Sequence, residues 1–250
     1  KGNKINDQNR FQAQAIPAGN TMDMSVDAGL RSFMLGVYNK MGLGLVLSGI
    51  LAYITSSVPA VRDMLFTANG GYTGAGLILS FAPLGVLLIG MFAMRNPSKT
   101  GANLFYWTIV TLIGAGLGVL ALRYTGQSLA STFFITASAF GALSLWGYTT
   151  KRDLTGFGSF LIMGMFGLIL ASIVNIFLQS PMMMFVISGL GVLIFSGLIA
   201  FDTQRLKFEY YYLKGDDTAM SVATSMGALS LYLNFINLFQ FLLSFLGDRE

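Results

Sequence analysis

Residues 157–178 read FGSFLIMGMFGLILASIVNIFL, and after Gln179, Ser180 and Pro181 residues 182–201 read MMMFVISGLGVLIFSGLIAF. A helix that crosses a bilayer needs about 20 predominantly apolar residues, and each of these runs has that length without a charged side chain. The short connection makes them a tight membrane hairpin. Working outward, five more stretches qualify: 33–55, 77–94, 103–122, 129–148 and 226–246. The chain therefore reads as an all-α membrane protein, a bundle of seven transmembrane helices occupying residues 28–247. The first span is the weakest, because Asn39 and Lys40 interrupt it. An amphipathic approach from Val26 is expected to lead in, with Lys40 snorkelling to the interface. Residues 1–27 are polar and rich in Gln and Asn, and read as a disordered cytoplasmic tail rather than a signal peptide. Residues 248–250 form a short C-terminal tail.

Composition supports this reading and removes several classes of function. The chain is 54% hydrophobic and 10% charged, with a mean hydropathy of +0.66. A soluble domain has roughly a quarter of its residues charged, so this chain has too little polar surface to cover itself in water. It contains no Cys and no His. That removes disulfides, zinc centres, His-dependent hydrolases and the usual titrating switch near neutral pH. An intramembrane aspartyl protease would need two carboxylates at membrane depth, and this sequence does not offer them, so no enzyme is expected.

The net charge of +4 is a topology signal, not a sign of nucleic acid. With the N-terminus in the cytoplasm, twelve cations fall inside: Lys1, Lys4, Arg10, Arg31, Lys40, Arg95, Lys99, Lys151, Arg152, Arg205, Lys207 and Lys214. Three, Arg62, Arg123 and Arg249, fall outside. Cations concentrate on the cytoplasmic side of membrane proteins, and losing one span would scramble the segregation. Small residues mark close helix approach: Gly114, Gly116 and Gly118 in the third span, Gly164 with Gly167, and Gly189 with Gly191.

Ionisable groups at membrane depth are costly and are functional hypotheses by default. Ten of the eleven acidic residues lie in tails or loops; Asp202 alone sits on the end of an apolar run, in GLIAFDTQR at 197–205. The seventh span carries Ser230, Asn234 and Asn237 at i, i+4 and i+7, one helical face. Such a stripe should face the bundle interior, since lipid cannot satisfy its hydrogen bonds. Arg95 ends the second span on the same side as Asp202. Two readings stand: Asp202 pairs only with Arg205 at the interface and the stripe is interhelical glue, or Asp202 meets Asn234 inside the bundle.

The sequence resembles the Bax inhibitor-1 family, the transmembrane Bax-inhibitor-motif proteins with bacterial YccA-like members. The resemblance runs from about Ala28 to Gly247 and rests on FITAS at 134–138, LSLWGYTTKRDLTG at 143–156, FDTQR at 201–205 and GALSLYLNFINLF at 227–239. It implies seven helices with the last central, a bacterial inner-membrane location, and a pH-sensitive calcium leak. In the family a carboxylate on the sixth helix and another on the seventh form a proton-sensing pair. Asp202 matches the first, Arg95 matches an Arg near the end of the second helix that would partner the pair, and Asn234 stands where the family usually has Asp. Two neighbouring carboxylates resist ionising together, whereas an Asp–Asn pair has one titratable member, so the pH switch is expected to be weakened. Calcium prefers six to eight oxygen ligands; Asp202 with Asn234, Asn237 and Ser230 is at best a weak site, and no other cofactor is expected. The resemblance implies an alternative too, a non-conducting regulator that binds a membrane-anchored AAA protease through the N-terminal tail and FEYYY at 208–212. A monomer or weak oligomer is expected.

Overall fold

Residues 27–68, 71–93 and 96–248 are described by a computed structural model. Eight helices follow one another: α1 (Ala28–Ser57), α2 (Pro59–Leu65), α3 (Gly74–Ala93), α4 (Lys99–Gly116), α5 (Gly126–Thr149), α6 (Thr155–Leu178), α7 (Pro181–Leu213) and α8 (Asp217–Leu246). A 3-10 segment, Leu117–Leu122, prolongs α4. The residues at the helix starts explain the breaks. Asp27, Ser98, Thr125, Ser180 and Asp216 each accept a hydrogen bond from a first-turn backbone N–H, the standard role of short polar side chains at an N-cap. Pro181 occupies the first helical position of α7, where its missing N–H costs nothing. Gln179 turns the chain out of α6 at φ 49°, and the Ser180 N–H donates to Asn175 Oδ1 at 3.1 Å, which closes the expected α6–α7 hairpin.

Six helices, α1, α4 with its 3-10 extension, α5, α6, α7 and α8, are long and apolar enough to cross a membrane. The apolar part of α3, Gly74–Gly90, is shorter and contains Pro83. Large apolar side chains face outward without cover: Phe177 is 82% exposed, Ile78 74% and Met163 73%. Such a surface fits lipid and not water. The chain is a multi-pass helical membrane protein.

Burial falls unevenly across the helices. In α8 44% of the apolar window is buried and in α7 39%, against 17% in α6. Helix α8 packs on α1, α4, α5 and α7; α3 leans on α4 and α2, and α6 on α7. The core is built around Leu231, Tyr232, Phe235 and Leu238 of α8, with Leu30 and Val37 of α1 and Tyr106 and Ile109 of α4. Ser48 and Tyr232 share a hydrogen bond of 2.7 Å between α1 and α8.

Three features differ from the sequence reading. Helix α7 does not stop at residue 201 but runs to Leu213, because its extension still buries Leu206 and Tyr210 although its other faces are polar. Helix α2 was not expected, being too short for a hydropathy window. Lys40 takes partners the sequence did not name: its ammonium donates to Asn103 Oδ1 (2.6 Å) and Ser225 Oγ (2.7 Å), tying α1 to α4 and α8. Of the glycines singled out, Gly114 and Gly118 lie against Ser48 and Thr55 of α1, Gly164 against Ile194 and Gly191 against Phe241. Nothing approaches Gly116, Gly167 or Gly189: Gly116 and Gly189 are two residues from their packed partners and so off that face, and Gly167 is exposed. Of the expected tails, residues 1–26, 249 and 250 lie outside the described residues, and Asp248 is held at the start of α5 through Ser128 and Thr125.

Candidate functional site

Because α7 continues past residue 201, Asp202 sits inside a helix and not at its end. Its carboxylate is 5% exposed and both oxygens are engaged. Oδ1 pairs with the Arg205 guanidinium at 3.1 Å, one turn on. Oδ2 accepts from Ser230 Oγ at 2.5 Å and from Asn234 Nδ2 at 2.7 Å, both on α8. Arg205 also donates to Ser230 Oγ at 3.3 Å, so Arg205, Ser230 and Asp202 close a ring. A carboxylate can only accept, which fixes the Asn234 amide with its NH2 toward Asp202.

Helical spacing explains which members of the stripe take part. Ser230 and Asn234, at i and i+4, lie one above the other and reach the same carboxylate oxygen. Asn237 has turned away enough that its amide donates to Leu233 O in its own helix, at 2.8 Å. The sequence-expected site thus gathers Asp202, Ser230 and Asn234, leaves Asn237 outside, and adds Arg205. Arg95 lies outside the described residues.

The residues after Asp202 complete the anchoring. Successive helical residues point about 100° apart, so DTQR at 202–205 sends polar groups in four directions, and each finds a partner. Thr203 donates to Ile199 O at 2.8 Å and approaches Ser144 of α5 at 3.5 Å. Gln204 donates to Arg152 O at 2.7 Å and accepts from the Leu154 N–H at 2.8 Å, gripping the α5–α6 turn. Lys207, also buried, donates to Tyr148 O at 2.7 Å. Sequence reasoning passed over Thr203, Gln204 and Lys207; their signal was the run of consecutive polar residues on a helix buried on several sides.

The site holds one carboxylate, one guanidinium 46% exposed at its side chain, and two neutral donors, with the Glu209 carboxyl within coulombic reach of both Arg205 and Asp202. Beside Arg205 a cavity of about 520 Å³ opens, lined in part by Glu209, Tyr212 and Gly227. Among the described residues no three acidic, His or Cys side chains cluster to hold a metal ion. In this arrangement three N–H or O–H donors aim at Asp202, which suits an anion and repels a cation.

The family model described as inhibitor of apoptosis-promoting Bax1 matches residues 30–250. The chain is 66% identical to a protein of Caulobacter vibrioides over 250 residues, covering 98% of this chain and 100% of that one. It is 47% identical to a protein of Rickettsia prowazekii, covering 90% and 92%. It is also 41% identical to the inner membrane protein YbhL of Escherichia coli K12, covering 89% and 94%. Together with the helical membrane bundle, these similarities establish that the chain belongs to the Bax inhibitor-1 family.

Proposed function

We propose that this chain is a seven-span inner-membrane protein, crossing with α1 and α3 to α8, with its N-terminus in the cytoplasm and α8 at the centre. Its function on this reading is a slow calcium leak gated where Asp202 of α7 meets α8. The observation that carries the proposal is the doubly engaged carboxylate: Asp202 is the buried acid that joins the two most buried helices. In lipid a carboxylate cannot be released from its donors without a replacement partner. Parting α7 from α8 therefore requires a cation or water to take over from Ser230 and Asn234. Calcium is the permeant ion in this scheme, not a resident one, and Asp202 serves as its transient ligand only after the latch opens. Asn234 keeps the latch shut without a shared proton, so the pH response is weak.

The test is calcium entry into dye-loaded liposomes containing the purified protein, measured from pH 6 to 8. The proposal expects slow entry with a shallow pH profile, and faster or unregulated entry in Asp202→Asn, where the charge that draws Arg205, Ser230 and Asn234 together is gone. Absence of protein-dependent entry at every pH would rule out a leak.

A second reading is a non-conducting regulator of a membrane-anchored AAA protease. The exposed Phe208 and Tyr212 on the extension of α7, 49% and 89% exposed, favour it. Site-directed crosslinking from position 212 to such a protease, with no flux, would select this reading.

A further inference from the structure

Helices α1 and α5 both pack on α8 and touch each other through Tyr38 and Phe140, whose rings meet edge to face, without packing along their length. The seam between them is open as two cavities, of about 730 and 410 Å³. Both lie in the size range of ligand pockets, about 300–1,000 Å³. Leu45, Phe133 and Phe235 belong to both cavities and form the partition between them. The larger cavity runs along α1 from Arg31 to Leu45, fourteen residues, or about 21 Å at 1.5 Å per residue. One leaflet of the hydrocarbon core is about 15 Å deep, so this groove spans a leaflet and reaches the headgroup level at its Arg31 end.

Two glycines widen the groove. Gly42 on α1 and Gly141 on α5 line its opposite walls, and a Cβ atom added at either would meet no neighbouring part of the protein within 4 Å. Other glycines of the bundle are pressed by a neighbour, as Gly44 is by Tyr106 and Gly147 by Ala200. Gly42 and Gly141 have no such neighbour, so the space they leave is vacant of protein.

The charge at the mouth selects the occupant. Arg31 and Tyr148 line the end of the groove, and Lys207 lies against Tyr148, with its ammonium 5.7 Å from the ring centre. Among the described residues neither Arg31 nor Lys207 has a carboxylate within ion-pair distance. An apolar slot one leaflet deep, ending at an unbalanced guanidinium, fits a lipid whose phosphate meets Arg31 and whose acyl chain lies between α1 and α5. We propose that the α1–α5 groove is a binding site for one anionic phospholipid, with an acyl chain between Gly42 and Gly141 and the phosphate at Arg31. The inference asks nothing of Asp202 and stands or falls apart from the calcium leak.

The experiment is native mass spectrometry of the purified full chain released from detergent micelles doped with phosphatidylglycerol or phosphatidylcholine. One phosphatidylglycerol should be retained per chain, at least fivefold in preference to phosphatidylcholine. Arg31→Gln should abolish the preference while a lipid is still retained. The double variant Gly42→Leu with Gly141→Leu should reduce retention of both lipids at least tenfold without lowering the melting temperature, since both leucines enter open space. Should that variant fail to fold, maleimide labelling of Gly141→Cys in this otherwise Cys-free chain replaces it. Phosphatidylglycerol should slow the labelling at least fivefold, and glycerol phosphate should not. Retention of lipid by the double leucine variant at the natural level overturns the proposal, as does equal protection by glycerol phosphate, which would mark a headgroup site without a chain. Disulfide pairing of Gly141→Cys between two copies would assign the groove to a second chain and overturn it equally.

Discussion

Asn234→Asp places a second carboxylate where an amide now donates to Asp202 Oδ2 at 2.7 Å. The two charges would then be centred roughly 4 Å apart. At an effective dielectric constant of about 20 their repulsion is about 4 kcal/mol, or about a thousandfold in an equilibrium between joined and parted helices. Exposed Arg205 screens part of this, and about 2 kcal/mol is a conservative remainder. At low pH the pair can keep one proton and bridge α7 to α8 much as the natural amide does. As pH rises and the proton leaves, repulsion pushes the helices apart. Calcium entry into dye-loaded liposomes should therefore climb at least tenfold more between pH 6 and 8 in Asn234→Asp than in the natural chain. Adding Asp202→Asn to Asn234→Asp should flatten the profile toward the natural one, because a single carboxylate remains. Superimposable profiles for Asn234→Asp and the natural chain would refute the like-charge argument. A steep natural profile that survives Asp202→Asn would place the sensor elsewhere.

Gly147→Ala puts a methyl group against the carbonyl of Ala200 at the α5–α7 contact, and should lower stability by about 1–3 kcal/mol. Gly167→Ala, in open space on α6, should be neutral or stabilising by up to about 1 kcal/mol; thermal unfolding in detergent distinguishes the two. Asp27 caps α1, and the hydrogen bond from the Leu30 N–H, with help from Lys214, holds its carboxyl below the usual carboxylate range. Its stabilising contribution is present above that usual range and is lost as pH falls through it toward the folded value. Hydrogen exchange in the first turn of α1 should accordingly speed up on acidification in the natural chain and lose that pH dependence in Asp27→Asn. Reporter fusions after Lys99 and Lys214 should read cytoplasmic and one at Arg249 external; a cytoplasmic signal at Arg249 would mean an even number of crossings.

The membrane class of this protein was legible from its sequence alone, because apolar runs of bilayer length such as 157–178 and 182–201 have no alternative in water. That Asp202 would need partners was legible too, since an acid beside such a run is expensive wherever the chain goes. The i, i+4 spacing of Ser230 and Asn234 placed both on one face of a helix, and local periodicity is enough for that. Periodicity could not tell which neighbouring helix that face would meet, nor that Asn237 would bond to its own backbone. Hydropathy likewise ended the sixth span at Phe201, because it registers residue polarity and not burial. Only the packing of Leu206 and Tyr210 against other helices carries α7 on to Leu213 and turns Asp202 from a terminal residue into an interior one. Lys40 shows the same division. Its charge within an apolar run was visible in the sequence, but that its ammonium would bond Asn103 and Ser225 depended on which residues α4 and α8 brought within reach. The open α1–α5 seam has no sequence signature, since glycines pressed by a neighbour and glycines facing empty space read alike until the helices are set side by side.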